Sequence, residues 1–310
     1  NITTSSDDRS LAPEIIGQSS SMQTIFRMIG KLSKSEDNVL INGETGTGKA
    51  LVAQSLHHNS QRKDQPFIKV NAGAIPKELI EEVLFGMEKP APTDSQEVIK
   101  GIVDQAHGGT LFFDEISDIP MDIQIRLLRI LSDGQVYRVA GKNPVTINIR
   151  IIASTNQNLN TLVAKQLFRD DLFHRLNAIN IMIPPLRDRP DDIPPLTQVF
   201  LRNSAQSLKI EAKVLSEEAL NYLITLNWNG NVLQLENVCH WLTLMTSGST
   251  ITIDDLPLDL KDQSNNVAPH GNQEDWRIGL HRNIDLEIKN GNHQVYDTII
   301  QDVEKTLISS

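Results

Sequence analysis

Asn38-Val39-Leu40-Ile41-Asn42-Gly43-Glu44-Thr45-Gly46-Thr47-Gly48-Lys49-Ala50 runs from a short apolar strand into a glycine-rich loop that closes on a lysine. That order is the P-loop pattern, a cradle for phosphate. Gly43, Gly46 and Gly48 let the backbone wrap an anion with several N–H groups turned inward. A helix beginning near Lys49 adds the positive end of its dipole, and the Lys49 ammonium adds a point charge for the terminal phosphates. The ligand class read from the loop is a nucleoside triphosphate. Glu44, Thr45 and Thr47 lie between the glycines and count with the binding residues, as does Ala50. The pattern ordinarily ends in Lys-Ser or Lys-Thr, whose hydroxyl binds magnesium; here Ala50 follows the lysine. The competing reading is a plain glycine-rich turn between a strand and a helix.

A second stretch weakens that alternative. Gly108-Gly109-Thr110-Leu111-Phe112-Phe113-Asp114-Glu115 is a continuous apolar strand ending in two carboxylates. Such a strand suits the interior of a parallel sheet, and its carboxyl end lies where open α/β sheets bind ligands. Asp114 would hold a magnesium shell and Glu115 would polarise an attacking water. An Asp-Glu pair after a strand also serves as a helix cap, but a P-loop upstream favours the chemistry.

Bulk properties set limits. A chain of 310 residues implies two domains plus an extension. A net charge of −10 excludes a strong polyanion binder, so any nucleic-acid contact needs a local patch or another segment. The single cysteine, Cys239, lies in a helical apolar pattern and reads as core, with no disulfide or zinc framework. No apolar run reaches membrane-spanning length and no signal peptide is seen, which fits a cytoplasmic protein without membrane contact. The first residue is Asn1 and not Met, so the expectation is an excised fragment.

The polar residues 1–12 read as a loose linker remnant. Residues 13–183 alternate apolar strands with helical patterns, the signature of an α/β fold with a mostly parallel sheet. Strands are expected at 38–42, 67–70, 110–114, 148–153 and 179–183, and helices at 49–58, 76–84, 121–133 and 169–176. Pro184-Pro185 breaks the pattern, and 184–260 reads as a small helical subdomain. Within it Ser216-Glu217-Glu218 is a helix start, and Asn229-Gly230-Asn231 is a turn before the last helix. Residues 261–310 open with a polar linker and end on an apolar stripe of Tyr296, Ile299, Ile300, Val303 and Leu307. That stripe is either the truncated first helix of another domain or a helix docked on the preceding subdomain.

Several motifs together resemble the AAA+ central domain of bacterial enhancer-binding transcription activators, most closely the nitrogen-regulation (NtrC) response regulators. They are Leu40 to Lys49, Leu84-Phe85-Gly86, Gly108 to Ile116, Phe168-Arg169-Asp170-Asp171-Leu172-Phe173-His174-Arg175-Leu176, Pro184 to Arg189, and Asn231-Val232 with Gln234-Leu235-Glu236-Asn237. The likeness runs from about Ile15 to Leu260. It implies an AAA+ P-loop fold with a helical lid, ATP or ADP with Mg2+ as cofactors, and a hexamer or heptamer ring as the active state. It also implies a preceding receiver domain and a following Fis-like helix-turn-helix that binds DNA, of which Glu304 to Leu307 looks like the opening. Asn71 matches the residue that hydrogen-bonds the Walker B glutamate, although a strand-end turn explains it too. Thr155 and Asn156 match the sensor of the γ-phosphate. Arg169 and Arg175 match the two arginines offered to a neighbouring subunit's ATP, a contribution on the order of 10³–10⁵ in rate. Ile16 and Gly17, at the start of the likeness, count with the nucleotide-binding residues.

The chain departs from that family in three places. Pro90-Ala91-Pro92-Thr93-Asp94-Ser95 occupies the place of the Gly-Ala-Phe-Thr-Gly-Ala loop that pushes on the sigma-54 subunit of RNA polymerase. Two prolines stiffen a loop that must extend and retract. Leu233 replaces the arginine that touches the nucleotide phosphates from the lid, a loss of roughly 1.5–3 kcal/mol for one charged hydrogen bond. Ala50 replaces a glutamate. The expectation is an NtrC-like regulator that binds nucleotide, hydrolyses ATP slowly and does not activate sigma-54 polymerase in the standard way. The alternatives are a fully active remodelling ring and, more weakly, a P-loop ATPase unrelated to transcription.

Overall fold

Val39 and Ile41 enter one apolar cluster and Leu40 enters another, and all three are buried. The same alternation sends Phe112 to the first cluster and Leu111 and Phe113 to the second. Strands apolar on both faces need helices on both sides. The computed structural model, which describes residues 15–89 and 97–261, has that arrangement. In chain order the elements are α1 (Ser20–Leu32), β1 (Val39–Asn42), α2 (Lys49–His58), β2 (Phe67–Asn71), α3 (Ile80–Phe85), β3 (Met87–Lys89), β4 (Glu97–Ile99), α4 (Ile102–Gln105), β5 (Thr110–Asp114), α5 (Met121–Asp133), β6 (Gln135–Tyr137), β7 (Pro144–Thr146), β8 (Arg150–Thr155), α6 (Leu159–Ala164), α7 (Asp170–Leu176), β9 (Ile179–Met182), α8 (Ile193–Leu208), β10 (Val214–Leu215), α9 (Glu217–Thr225), α10 (Asn231–Met245) and β11 (Thr250–Ile251). Five of the strands form one parallel sheet in the order β2-β5-β8-β1-β9. Met22, Ile25 and Leu56 from α1 and α2 cover one face. Leu84, Ile123, Leu127 and Leu172 from α3, α5 and α7 cover the other. The α/β class expected from the sequence is the one observed: a parallel sheet followed by a helical subdomain built on α8, α9 and α10.

The helices expected at 49–58 and 121–133 and the strand at 110–114 match α2, α5 and β5. As expected, Ser216 caps α9 by accepting from the Ala219 N–H; the turn expected at 229–231 leads into α10, which its last residue opens. The helix expected at 76–84 begins only at Ile80, because residues 77–79 form a turn whose Leu79 N–H bonds the Pro76 carbonyl. The strand expected at 148–153 becomes β8, since Asn148 spends its carbonyl on the Gly108 N–H and on Arg62. Helix α1 and the short antiparallel pairs β3–β4 and β6–β7 were not anticipated.

Arg138, just after β6, bonds Asp104 at 3.0 Å and pairs with Glu88 of β3 at 3.5 Å, tying the two hairpin stems together. The stretch Pro90–Ser95, read above as a blunted polymerase contact, lies outside the described residues, as does the apolar stripe at 296–307. The chain divides into two compact units, Asn1–Leu258 and Asp259–Ser310. Among the described residues no helix is long and apolar enough to cross a membrane. Cys239 is fully buried in α10, and burial pushes its thiol up to about 12, so it is core as expected.

His57 in α2 is 2% exposed, with Nδ1 2.9 Å from Thr110 Oγ1 and its ring 5.1 Å from that of Phe67. Burial, helped by His58 and Arg150, pushes its pKa from the ordinary 6.5 down to about 4. The unfolded chain therefore takes up this proton at a higher pH than the folded chain does. Stability from neutral His57 is complete above about pH 6.5 and is lost as pH falls toward 4, by at most about 3 kcal/mol. Urea midpoints measured across that window should fall in the parent and fall less in His57→Gln. An equal fall in both would assign the pH dependence to other groups.

Candidate functional site

The loop after β1 takes its shape from glycine. Gly46 and Gly48 have φ of +79° and +100°, a region that side-chain-bearing residues enter at a cost. A Cβ on Gly46 would stand 2.3 Å from the Gly230 carbonyl oxygen, so the loop lies directly against the start of α10. The Leu233 N–H donates to the Gly46 carbonyl at 3.3 Å from the same side. Gly48, the N-cap of α2, has no side chain with which to satisfy the first N–H groups of that helix.

Lys49 Nζ is the centre of the cleft. It donates to the carbonyls of Gly43 at 2.9 Å and Glu44 at 3.3 Å and pairs with Glu115 Oε1 at 2.9 Å. Glu115 follows β5 in the left-handed region, φ 56° and ψ 66°, uncommon for a residue with a Cβ. Its other oxygen accepts the Asn156 N–H at 2.9 Å, and the Asn156 amide donates to Thr45 Oγ1 at 3.0 Å. Asn156 thus ties the glutamate to the P-loop. Asp114 accepts from Ser154 Oγ at 2.8 Å and pairs with Lys69 Nζ at 2.8 Å. Lys49, Thr45, Asp114, Glu115 and Asn156 meet at the carboxyl ends of β1, β5 and β8, the crevice where open parallel sheets bind ligands.

The remaining candidates fall around this centre. Thr155 is fully buried; its carbonyl accepts the Gly43 N–H at 3.2 Å and its Oγ1 accepts the Gln157 N–H at 3.0 Å. Thr47 is buried and donates its hydroxyl to the Glu44 carbonyl at 2.8 Å. Ala50 packs into the apolar cluster that includes Val52 and Ala53. Asn71 is paired in register with Asp114 at the end of β2; the Glu115 carboxylate is held by Lys49 and Asn156, and among the described residues no hydrogen bond joins it to Asn71. Ile16 and Gly17 precede Gln18 and Ser19, whose N–H groups both donate to Asp192 Oδ1, so this segment is fastened to the start of α8. Arg169 makes a two-pronged contact with Asp171 at 3.0 and 2.7 Å, and Arg175 is exposed. Neither arginine contacts the Lys49 cleft within the chain.

Glu44 points the other way, toward the helical subdomain. It accepts from Arg187 at 2.9 and 2.5 Å and from Asn231 at 3.1 Å. The Arg187 contact, then Asn231, holds its carboxyl below the usual carboxylate range. Sequence reasoning did not assign Ser154, Lys69, Arg187, Asn231 or Asp192 to the site. Ser154 was the most accessible of these, because it directly precedes Thr155 on β8, next to β5. Among the described residues no group of three His, Cys, Asp or Glu side chains could hold a metal. A cation here would rest on Asp114 and on oxygens brought by its ligand.

Residues 15–182 match the sigma-54 interaction domain family, and residues 187–273 match the AAA+ ATPase lid domain. The DNA-binding transcriptional regulator NtrC of Salmonella typhimurium is 48% identical over 298 residues, which is 96% of this chain and 64% of that protein. The NtrC of Azospirillum brasilense is 39% identical over 305 residues, 95% of this chain and 63% of that protein. This chain therefore spans about 64% of the length of the first of these relatives. A crystal structure of NtrX from Brucella abortus in complex with ATP superimposes with a TM-score of 0.76 at 35% identity, covering 84% of this chain and 58% of that one. The same protein in complex with ADP gives 0.75 at 34% identity, covering 86% and 59%.

Proposed function

We propose, since this chain belongs to the sigma-54 interaction domain family and carries an AAA+ lid, that it is the central ATP-binding domain of an NtrC-like response-regulator transcription factor. Its hydrolysis of ATP is slow, and it does not activate sigma-54 polymerase in the family's usual way. The observation that carries the nucleotide half is the Lys49–Glu115 pair at 2.9 Å, which seats a buried ammonium against an anion at the mouth of a glycine loop. The ATP and ADP complexes of NtrX support it. The residues present fit such a ligand. Lys49 and the uncapped start of α2 would meet the phosphates, Ile16 and Gly17 would lie toward the base, and Asp114 would hold Mg2+ through the phosphates. The nucleotide would supply the γ-phosphoryl group that water attacks, with ADP as the leaving group; Glu115 would orient the water, with Asn156 holding its carboxylate.

Two features support the weakness of hydrolysis. Leu233, the side chain that meets Gly46 from the lid, is aliphatic and donates nothing. Asp114 is already paired with Lys69, which a metal would have to displace. The loss of sigma-54 contact rests on the sequence Pro90–Ser95 alone. One observation favours the second reading, an active ring. Arg175 is exposed with no ion pair among the described residues, and the Arg169 guanidinium meets the exposed Asp171, a contact that another subunit's ATP could displace. DNA binding would come from a C-terminal domain and phosphorylation control from a receiver domain.

Calorimetric titration with Mg–ATP and Mg–ADP, run beside sedimentation, tests this proposal. Binding with slow turnover is expected. Absence of heat for both nucleotides would end the nucleotide reading. A turnover rate rising steeply with protein concentration, and lost in Arg169→Ala, would replace slow hydrolysis with the ring. A stable complex with sigma-54 in the presence of ADP–aluminium fluoride would overturn the loss of polymerase contact.

A further inference from the structure

We infer that Asn231 is a positioning residue: through the Thr45–Gly46 peptide it sets the phosphate loop for its ligand from the lid side, and it makes the hold of α10 on that loop depend on the ligand. This role rests on the nucleotide reading above and deepens it. Asn231 is the first residue of α10 and is fully buried. Its side chain bonds only to distant segments. The amide nitrogen donates to the Thr45 carbonyl at 3.0 Å and to Glu44 at 3.1 Å, and the amide oxygen accepts the Leu186 N–H at 2.8 Å. Leu186 opens the single turn Leu186–Asp188 between β9 and α8, where the chain leaves the sheet for the helices. One side chain therefore joins phosphate loop, hinge turn and lid helix.

A turn alone does not call for this residue. Its φ of +55° is a conformation that glycine adopts without strain, so what asparagine adds is the amide. A trans peptide is planar, with its carbonyl and N–H pointing opposite ways. Holding the Thr45 carbonyl toward the lid therefore turns the Gly46 N–H away from it. Among the described residues that N–H has no protein acceptor, and loop N–H groups of this kind are what cradle phosphate. Leu233 repeats the contact one peptide further on, its N–H donating to the Gly46 carbonyl at 3.3 Å, but its side chain is aliphatic and donates nothing. Thr45 is reached from the sheet as well. Its Oγ1 accepts from Asn156, whose N–H bonds the Glu115 carboxylate, which pairs with Lys49. Thr45 thus stands between the lid and the Lys49 cleft. An anion on the Gly46 N–H polarises the peptide and makes its carbonyl a better acceptor for Asn231. By linkage, whatever the ligand gains from Asn231 the lid gains from the ligand.

Two variants separate this role from a structural one. Asn231→Gly removes the amide and suits the backbone angle, so the fold should survive it. Asn231→Asp combined with Glu44→Gln keeps an acceptor for Leu186 and lets the amide at 44 donate to the carboxylate at 231, so that mainly the bond to the Thr45 carbonyl is lost. Calorimetric titration should show Mg–ADP and Mg–ATP each weakened by roughly three- to tenfold in both variants, the range for one neutral hydrogen bond. The ratio of the two affinities should stay unchanged, because the loop peptide serves both nucleotides. Hydrogen exchange supplies the readout that a structural role does not move. In the parent, either nucleotide should slow exchange in the loop and across the first turn of α10. In both variants the loop should still respond and the first turn of α10 should not. Parental affinity, or a first turn of α10 that slows on binding as much as in the parent, would overturn the inference, as would a parent whose α10 ignores bound nucleotide. Melting temperatures without ligand identify a variant that misfolds, and the other then carries the comparison; unfolding of both would make Asn231 a structural clasp and overturn the inference too. A parent that binds neither nucleotide fails earlier, at the nucleotide reading itself, and takes the inference with it.

Discussion

Asp192→Ala is expected to destabilise the fold by about 3–5 kcal/mol, the cost of leaving a buried charge without its partner. Asp192 is fully buried at the start of α8. It accepts the N–H groups of Gln18 and Ser19 at 2.5 and 2.7 Å and the Ser19 hydroxyl at 2.8 Å. Across from it, 3.8 Å away, is the almost fully buried Arg189. Burial pulls the Arg189 guanidinium below its ordinary value and Asp192 opposes the pull. Among the described residues Arg189 Nε has no partner, and without Asp192 the cation would keep there only the Thr47 carbonyl. Three donors would also lose their acceptor, each at about 1–3 kcal/mol if water cannot reach it. Asp192→Asn keeps the size and one acceptor oxygen, and should lose less than the alanine variant. Urea unfolding measures both. A loss under about 1 kcal/mol for the alanine variant would mean that water replaces the carboxylate, and that this junction is not buried in solution.

Glu115→Gln is expected to abolish whatever hydrolysis the chain performs while strengthening its hold on ATP. The amide is nearly the same shape but can neither take a proton nor pair with Lys49. Removing a general base costs roughly 10²–10⁴ in rate, which single-turnover phosphate release would measure even from a slow parent. The gain in affinity has a separate cause. Lys49 now spends its charge on Glu115 at 2.9 Å, and an incoming phosphate must compete for it. With that competitor neutralised, calorimetry should show tighter Mg–ATP binding. Hydrolysis surviving at the parental rate would remove Glu115 from the chemistry. Unchanged or weaker affinity would mean that the ion pair opens without cost when nucleotide arrives.

The motifs that identified the site were all local. The loop Gly43–Lys49 and the strand ending in Asp114–Glu115 are each shorter than a dozen residues, and the chemistry read from them depends on neighbours in the chain. That Lys49 and the Asp114–Glu115 pair share one cleft is legible in those two motifs, because both strands end on the carboxyl side of a parallel sheet; the direct Lys49–Glu115 ion pair is not. The role of Glu44 did not follow. As a residue between glycines it was counted only as part of the loop, yet its partner Asn231 stands 187 positions away. The turn expected at 229–231 ends one residue early, because Asn231 opens α10, with φ +55°; neither reading says which carboxylate its amide will meet. The short hairpins β3–β4 and β6–β7 escaped notice because three-residue strands carry too little alternation to stand out.

The chain's sequence by itself determined the α/β class, the phosphate loop, the carboxylate pair and the helical subdomain, because periodicity and glycine placement act over a few residues and need no partner. Only the tertiary structure decided what holds those parts in register. Asp192 fastening residues 18 and 19, Ser154 holding Asp114, and Arg187 facing Glu44 are contacts between distant segments. Their energy depends on burial and distance, and those quantities exist only once the sheet and helices have packed.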